Sequence, residues 1–437
     1  MHGILRRSRL FCFPRLAQLG VALLLGFGVA CAEDPGAAQA ESPAAAQREP
    51  RADGAPRVIL ISLDGIRHDY LDREGLPAFA RLASEGAAAK RLLPVFPSIT
   101  FPTHVSLATG AYPDVHGIVG NRFWDSERGE EYDYSAEANW LEAEPIWIAA
   151  ERQGIPAAVF FWVGSETDWR GRGATHRKTP FSSKISERKK VDQILEWFDM
   201  PTSDPDRPGL IMAYWRGTDH AAHRHGPDSA NVDEALQQQD RELGRLLAEL
   251  DARKAWSTTT LLVVSDHGMI EAGRHLSVKR ILRAAGIRAR TVHAGAVAHV
   301  HLENPNDVER ALKTLEAQDG VRAFASSALP DDLRYAHSSR TGDVVALTEP
   351  PYVFSSVTSS VGARLLEATG NRPGMHGYDV REVPEMAGIL LATGRGVSAR
   401  AALGDVRAID VAATVAELLE IDPPAKSEGQ PIVLEVP

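Results

Sequence analysis

The sequence predicts an α/β fold: a mainly parallel central sheet flanked by helices, with a smaller inserted α+β lobe. Short apolar runs recur along the chain, beginning with residues 57–63 (RVILISL), and such runs are typical of strands buried on both faces of a sheet. Helical patterns alternate with them, as parallel pairing requires. The 437 residues also exceed the roughly 250–300 that one simple core holds.

The predicted elements follow in chain order. Strands of the main sheet are expected at residues 57–63, 157–162, 209–215, 259–265 and 386–391, and its helices at 76–85, 229–250 and 409–419. The rhythm breaks between about 272 and 370, where short strands (297–302 and 343–347) surround a helix at 307–317. We therefore predict a main domain of residues 57–271 and 371–437, interrupted by an inserted lobe at 272–370.

Residues 1–31 are predicted to be an export signal. Four arginines precede the apolar run 19–30, which is shorter than the roughly 20 residues of a membrane-spanning helix. Cleavage after Ala32 fits the small residues there. The sequence before Cys31 also resembles a bacterial lipoprotein box, which would make Cys31 a lipid anchor. The protein is expected to be periplasmic or a membrane-anchored lipoprotein if bacterial, and secreted otherwise.

Residues 32–56 are rich in Ala, Pro and Glu and lack apolar periodicity, so they predict a disordered linker. The two cysteines of the chain, Cys12 and Cys31, leave no pair for a disulfide after export. Any metal site must then use histidine and carboxylate ligands. Without residues 1–31 the chain has 44 basic and 58 acidic side chains, a net charge of −14, which argues against binding to nucleic acid polymers.

Polar residues cluster directly after the predicted strands. Asp64 follows the first strand, Asp219 follows the third by a few residues, and Asp266 and His267 follow the fourth. Ligands of open α/β sheets bind beyond the carboxyl ends of the strands. Three carboxylates converging there repel one another unless a cation lies between them. The arrangement therefore predicts one or two bound metal ions.

Two metal sites can be assembled from these residues. Asp219 and His223 are four residues apart and share one face of a helical turn, a spacing that can grip a single ion. His376, in a Gly-Met-His-Gly-Tyr stretch, completes this first site. The second site would combine Asp64, Asp266 and His267 with one more group. Each short motif also fits a turn or a loop residue, and their order along the chain favours the metal interpretation.

Thr100 is the candidate for the missing ligand and for a nucleophile. It lies just before Pro102, and proline is favoured at the first helical position, which places Thr100 near a helix N-terminus, where backbone amides favour anions. A hydroxyl becomes a strong nucleophile only when deprotonated, and a bound metal lowers the pKa of a coordinated oxygen. The alternative is that Thr100 only caps the helix.

With these motifs in hand, the sequence resembles the nucleotide pyrophosphatase/phosphodiesterase family of the alkaline phosphatase superfamily, over about residues 57–437. The motifs that carry the resemblance are Asp64-Gly65, Thr100-Phe101-Pro102 continuing to Asn121, Asp219-x-x-x-His223, Ser265-Asp266-His267-Gly268 and His376-Gly377-Tyr378. The resemblance implies an alkaline-phosphatase-like fold.

It also implies two zinc ions and a role for each site residue. One zinc would be held by Asp219, His223 and His376, and the other by Asp64, Thr100, Asp266 and His267. Thr100 would attack phosphorus and form a phospho-threonine intermediate. Asn121 would donate a hydrogen bond to a non-bridging phosphate oxygen, which stabilises charge as it develops.

The resemblance favours a phosphodiesterase that releases a nucleoside monophosphate from a small nucleotide substrate. Phe101 and Tyr214 are similar to the aromatics that hold the base in nucleotide-cleaving relatives, whereas Trp162 is interpreted as a core residue. The sequence departs from the family pattern at Thr103 and at the segment 215–218 (WRGT). These departures leave the identity of the leaving group and of the substrate undetermined. The alternatives are a choline-type phospholipid or glycerophosphodiester hydrolase, and a phosphonate or phosphomonoester hydrolase with the same zinc core.

Overall fold

A computed structural model describes residues 48–356 and 373–435. The predicted signal with Cys31, most of the predicted linker and the predicted lobe boundary at residue 370 lie outside the described residues. The strands are β1 (Arg57–Leu63), β2 (Ala87–Leu93), β3 (Arg122–Asp125), β4 (Glu130–Asp133), β5 (Ala157–Phe160), β6 (His176–Lys178), β7 (Leu210–Trp215), β8 (Thr259–Val264), β9 (Ile270–Glu271), β10 (Arg274–Leu276), β11 (Ala289–Ala294), β12 (Val297–Leu302), β13 (Val321–Ala325), β14 (Val344–Thr348), β15 (Tyr352–Phe354), β16 (Gly374–Met375), β17 (Leu390–Gly394) and β18 (Ala401–Arg407). The helices are α1 (Pro77–Glu85), α2 (Thr100–Thr109), α3 (Pro113–His116), α4 (Ile146–Arg152), α5 (Glu187–Phe198), α6 (Asp219–His225), α7 (Ala230–Ala252), α8 (Val278–Ala284), α9 (Val308–Glu316) and α10 (Asp410–Leu419).

The main sheet has eight strands in the order β18-β2-β17-β8-β1-β7-β5-β6. Strand β1 lies near the centre and pairs in parallel with both β7 and β8. Only β17 runs antiparallel to its two neighbours within this sheet. The prediction of a mainly parallel sheet flanked by helices is confirmed.

Helices cover both faces of this sheet because its central strands are apolar on both sides. Ile59 and Ile61 of β1 pack into a core that includes apolar side chains of α1, α5 and α7. Val58 and Leu60 point to the opposite face, where α2, α4 and α10 contribute the core. Burying each such side chain is worth about 1.5–3 kcal/mol. The two cores fix the orientation of the strand ends that carry the polar residues.

A second sheet supplies the α+β character that the sequence predicts after residue 272. Its strands lie in the order β11-β12-β14-β13 and pair antiparallel throughout. Helices α8 and α9 pack on it around a separate apolar core that includes Leu282 and Leu315. The boundaries of the inserted lobe stay a prediction.

Four strands of the main sheet differ from the sequence prediction. The predicted strand at 386–391 begins later, at Leu390, because Met386 ends a 3₁₀ turn. Strands β2, β6 and β18 were not predicted. Residues 401–407 alternate poorly and are mostly half-buried or exposed, since β18 is an edge strand of the sheet, as is β6 at the opposite edge. An edge strand lacks the apolar run on which the prediction depends.

Candidate active site

The carboxyl ends of three adjacent strands bring the candidate residues together. Asp64 directly follows β1, Asp266 lies two residues after β8, and Asp219 begins α6 shortly after β7. Because β1 pairs in parallel with both of the other strands, these ends lie side by side at one edge of the sheet. This is where ligands bind in open α/β folds.

Two glycines allow the turns after β1 and β7 to approach each other. Gly65 has a φ of +71°, and a Cβ there would lie 2.9 Å from Cα of Asp219. Gly217 has a φ of +54°, and a Cβ there would lie 2.0 Å from the carbonyl oxygen of Asp64. Side chains would strain both turns, so the glycines let Asp64 and Asp219 face the same space.

The first cluster joins Asp219, His223 and His376. Oδ1 of Asp219 lies 3.1 Å from Nε2 of His223 and 3.7 Å from Nε2 of His376, and the two Nε2 atoms are 3.1 Å apart. A tetrahedral ion with bonds of about 2.0–2.1 Å separates its ligand atoms by about 3.3 Å. The spacing of these three atoms suits one shared ion.

The second cluster surrounds Nε2 of His267. That nitrogen lies 3.4 Å from Oδ1 of Asp64, 3.3 Å from Oδ2 of Asp266 and 3.3 Å from Oγ1 of Thr100. Asp219 also has a ligand atom within 4.8 Å of those of Asp64 and His267, so it adjoins both clusters. The structure thus brings all seven predicted ligands together in the two groups that the sequence analysis anticipated.

Backbone contacts leave one nitrogen of each histidine free for a metal. The Nδ1 atoms of His223, His267 and His376 lie 2.8–2.9 Å from the carbonyl oxygens of Gly374, Gly268 and Ser98 respectively. A carbonyl can only accept a hydrogen bond, so each Nδ1 must carry the proton and donate it. Each Nε2 then keeps its lone pair, as ligating histidines require.

The three carboxylates each keep a buried oxygen that accepts no hydrogen bond: Asp64 Oδ1, Asp219 Oδ1 and Asp266 Oδ2. These are the oxygens that belong to the two clusters. Burial, followed by the charges of Asp266 and Asp219, raises the pKa of Asp64 well above its ordinary value. A cation between these bare oxygens would favour the ionised form of Asp64.

The histidine side of the site suits a cation as well. Burial, together with the neighbouring His267 and His223, lowers the pKa of His376 to about 3, so its ring is neutral at neutral pH and can ligate. The residues therefore fit divalent metal ions bound by oxygen and nitrogen.

The hydroxyl of Thr100 faces the second cluster and does not cap the helix. Thr100 is the first residue of α2, the N-cap position belongs to Ile99, and no side chain caps this helix. The capping alternative is therefore not what the structure shows. Pro102 is the third residue of the helix and not the first. It still lies in the first turn, where proline is tolerated.

Asn121 contacts the start of α2 and lines the same cavity as Thr100. Its Oδ1 accepts a hydrogen bond of 2.9 Å from the backbone amide of Phe101, and its side chain is nearly buried. Since the carbonyl end is occupied, the amide NH₂ is the end available to a ligand. Its Nδ2 lies 3.5 Å from the hydroxyl of Tyr134.

A cleft of about 840 Å³ opens over these residues. Its aromatic lining comprises Phe101, Tyr134, Phe161, Trp162, Phe181, Tyr214 and Phe354. Trp162 is almost fully buried and donates a 3.0 Å hydrogen bond to the carbonyl of His104, as a core residue does. Tyr214 is half-buried, and its hydroxyl donates to Oδ2 of Asp64 at 2.7 Å.

The sequence did not predict four aromatic residues of the cleft: Phe161, Phe354 and two that are exposed, Phe181 and Tyr134. Phe181 is 49% exposed and Tyr134 is 53% exposed, and both rings line the cavity. The sequence signal, if any, is a single aromatic among polar neighbours, since Phe181 lies in a basic loop and Tyr134 follows a run of acidic residues.

Comparisons with known proteins identify a matching family and several similar chains. The family model for type I phosphodiesterase/nucleotide pyrophosphatase matches residues 58–379. An uncharacterised pyrophosphatase/phosphodiesterase of Schizosaccharomyces pombe is 31% identical over 351 residues, which cover 77% of this chain and 71% of the relative. Venom phosphodiesterase 2 of Crotalus adamanteus is 29% identical over 384 residues, 84% of this chain. This chain spans only 45% of the venom protein.

A solved structure shares the fold over most of its length. Murine ectonucleotide pyrophosphatase/phosphodiesterase 5, as an inactive threonine-to-alanine variant in complex with AMP, matches with a TM-score of 0.75 and 25% identity. The match covers 84% of this chain and 96% of the murine chain.

Proposed function

The chain belongs to the type I phosphodiesterase/nucleotide pyrophosphatase family of hydrolases, and from that premise we propose that it hydrolyses nucleotide phosphodiester or phosphoanhydride bonds. The product would be a nucleoside monophosphate. One observation carries the proposal: the Thr100 hydroxyl lies 3.3 Å from Nε2 of His267, within a cluster in which one oxygen each of Asp64 and Asp266 lacks a hydrogen-bond donor.

The proposed cofactor is a pair of zinc ions, one for each cluster. When bound, the ions would lower the pKa of the Thr100 hydroxyl and neutralise charge on the phosphoryl group. Asp219, His223 and His376 would hold one ion, and Asp64, Asp266, His267 and Thr100 the other. The histidine nitrogens and carboxylate oxygens of the two clusters suit zinc, which prefers such ligands.

We propose Thr100 as the nucleophile. Its oxygen forms a bond to phosphorus while the bond from phosphorus to the leaving oxygen breaks, which gives a phospho-threonine. Water then cleaves the threonine–phosphorus bond and releases the monophosphate. The inactive murine relative carries a threonine-to-alanine change, which supports a threonine in this role.

Asn121 is proposed to bind a non-bridging oxygen of the phosphate. Its orientation is set before substrate arrives, because the Phe101 amide already occupies Oδ1. A fixed donor aimed at developing charge costs no reorganisation during the reaction. Asn121 would therefore contact both the phosphate and the first turn of α2, since it already accepts a hydrogen bond from Phe101.

The base is proposed to stack on Phe101, with Tyr214 or Phe181 as the second aromatic wall. Base–aromatic stacking is worth about 1–3 kcal/mol per base. Phe181 is the more exposed of the two candidates, and its ring centroid lies 6.1 Å from that of Tyr214. The murine relative binds AMP, which supports a nucleotide as the ligand.

Export is proposed from the N-terminal sequence alone, with Cys31 as a candidate lipid anchor. No helix among the described residues is both long enough and apolar enough to cross a membrane. Mass analysis of the mature N-terminus would separate the routes. A lipid on Cys31 supports the lipoprotein, and a chain that begins after Ala32 supports ordinary signal cleavage.

Steady-state kinetics of the zinc-loaded chain on a substrate panel tests the function. The panel contains a nucleotide 5′-aryl diester, ATP, a phosphocholine ester, a phosphonate and an aryl monoester. We expect kcat/KM for the nucleotide substrates to lead by about a hundredfold, roughly 2.7 kcal/mol. A lead for the phosphocholine ester would instead indicate the choline-type alternative. Absence of diesterase activity would contradict the proposal.

Metal analysis tests the cofactor separately from the activity. The wild-type chain should hold two zinc ions per molecule after dialysis, and the His376→Ala variant should hold fewer. Arg288→Ala is the matched control, since Arg288 is 84% exposed in its side chain and lies outside both clusters. One ion or none in the wild type would contradict the two-zinc proposal.

A further inference from the structure

We propose that Tyr134 contacts the substrate, with its hydroxyl donating a hydrogen bond to a non-bridging phosphate oxygen beside Asn121. This inference rests on the proposed function and deepens it, because it names a second uncharged donor for the phosphodiester. Tyr134 directly follows β4 and is not part of either metal cluster.

The position of Tyr134 is the first support. Its side chain is 53% exposed, although large apolar side chains are usually covered. Among the described residues the other exposed large apolar side chains are Phe181 and Val433. Both exposed aromatics line the same cleft as Thr100. Exposed aromatic surface gathered in one cleft indicates a binding role.

The backbone of Tyr134 is the second support. Its φ is +48°, in the left-handed region that disfavours residues with a Cβ. The Tyr134 amide donates a 2.9 Å hydrogen bond to the carbonyl oxygen of Asn121, which holds the strained conformation in place. Strain of this kind persists where surrounding contacts fix it, and it concentrates at ligand sites.

The side chain of Tyr134 is tied to Asn121 a second time. Its hydroxyl oxygen lies 3.5 Å from Nδ2 of Asn121, and its ring meets Phe101 edge-on with centroids 5.2 Å apart. An amide nitrogen can only donate, so the phenolic oxygen accepts on that side. Its own proton therefore remains available to an acceptor in the cleft.

A phosphodiester supplies that acceptor. Its non-bridging oxygens are anionic and carry no proton, so they accept from every donor they meet. Asn121 Nδ2 and the Tyr134 hydroxyl are close enough for one such oxygen to reach both. Arg122 lies over the Tyr134 ring, 5.4 Å from its centroid, and is held there by Asp133 at 2.6 Å. Since the Tyr134 hydroxyl lies beside Asn121 Nδ2, the inferred contact is to the phosphate, which all diester substrates share, and not to the base.

Kinetics of Tyr134→Phe test the hydroxyl alone. We expect kcat/KM to fall about tenfold or more, as for a lost hydrogen bond to a charged group. The fall should be the same for a nucleotide 5′-aryl diester and for a methyl aryl phosphodiester that has no base. Tyr112→Phe is the matched control, because Tyr112 is also half-exposed under an arginine, Arg334, but lies outside the cleft lining.

Tyr134→Gly separates function from stability. Glycine adopts a φ of +48° freely, so we expect the thermal midpoint to rise or hold while kcat/KM falls. A merely structural tyrosine would show the reverse, with a lower midpoint and unchanged kinetics.

The outcomes distinguish this inference from the proposed function. If the wild type hydrolyses diesters and Tyr134→Phe matches it within twofold, the phosphate contact is wrong and the proposed function stands. A loss confined to the nucleotide substrate would show a base contact and would also overturn the inference. If the wild type hydrolyses no diester, the proposed function is wrong and the contact with it.

Discussion

The hydroxyl of Tyr214 lies 2.7 Å from Oδ2 of Asp64, while the other oxygen of Asp64 accepts no hydrogen bond. The two residues come from neighbouring strands, since Ser62 of β1 pairs with Tyr214 of β7. Sheet pairing thus places a neutral donor on one side of the carboxylate. The hydrogen bond fixes the carboxylate so that its bare oxygen faces His267.

Tyr214→Phe should weaken metal binding, because it removes the hydroxyl that bonds to Asp64. The packing of the core should be kept, because the ring remains. Groups that orient metal ligands typically contribute 10–100-fold to metal affinity, so we expect the zinc affinity to fall within that range. Competition with a chromophoric chelator measures it. Tyr70→Phe is the matched control, since the buried Tyr70 hydroxyl bonds to the carbonyl of Pro227 at 2.7 Å. Unchanged affinity in Tyr214→Phe would show that the hydrogen bond does not position Asp64.

Thr100→Ala should abolish turnover and leave zinc largely bound, because the other six ligands remain. Thr100→Ser keeps a hydroxyl at the start of α2 and should retain measurable activity. Acid quenching of the wild type during turnover should trap phosphate covalently on the chain, and the alanine variant should carry none. Diesterase activity in Thr100→Ala would refute the nucleophile assignment.

Phe101→Ala and Phe181→Ala test the stacking walls. Each should lower kcat/KM for a nucleotide aryl ester by about 5–150-fold, the equivalent of 1–3 kcal/mol. Each should have a smaller effect on a methyl aryl diester, which has no base to stack. Val433→Ala is a control at an exposed apolar residue outside the cleft. Equal losses on both substrates would argue against stacking.

Most residues of the two clusters could be predicted from sequence because they follow a recognisable strand or lie on a helix, whereas His376 follows the two-residue strand β16, which was not predicted. The runs that end at Asp64 and Asp266 are buried on both faces, so their apolar patterns locate the sheet edge. The spacing of Asp219 and His223 is local, and the observed helix preserves it. Local patterns of this kind survive folding without knowledge of distant contacts.

The cleft wall could not be predicted, because it depends on contacts between distant segments. Phe181 approaches Tyr214 across 33 positions of sequence, and Tyr134 packs on Phe101 across another 33. An isolated aromatic in a polar loop carries no periodicity. The antiparallel direction of β17 was missed for the same reason, since strand direction follows from the path of the whole chain.

Arg340 should be critical for stability. Its side chain is 2% exposed and lies 2.9 Å from Oδ2 of Asp125, itself 3% exposed. It also donates to the carbonyls of Gly117 and Trp140. Removing one partner of a buried ion pair leaves an uncompensated charge, which costs about 3–5 kcal/mol.

Urea unfolding of Arg340→Ala should therefore show a loss of that size. Arg288→Ala should change the unfolding free energy by less than about 1 kcal/mol, since its pair with Glu303 is exposed. Equal effects of the two substitutions would contradict the prediction.

Lys190 gives the stability a pH dependence of known sign. Its side chain is 1% exposed, and its Nζ donates a 2.9 Å hydrogen bond to the carbonyl of Tyr214. Burial lowers the pKa of Lys190 from 10.5 to about 8, although Glu187 opposes the shift. Between those two values the unfolded chain binds a proton that the folded chain has released. The unfolding free energy therefore rises with pH across this window. Below about pH 8 both states keep the proton, so Lys190 adds no pH dependence there.

The shift of the Lys190 pKa corresponds to about 3 kcal/mol at 1.36 kcal/mol per unit. Lys190→Met removes the titrating group, so the difference in unfolding free energy between wild type and variant should change by about that amount from pH 8 to 10.5. Urea unfolding at several pH values measures it, and subtraction cancels the titration of the other side chains. Lys189→Met, at the exposed neighbouring position of α5, should give a flat difference. A flat difference for Lys190→Met as well would show that the folded and unfolded chains titrate this lysine alike.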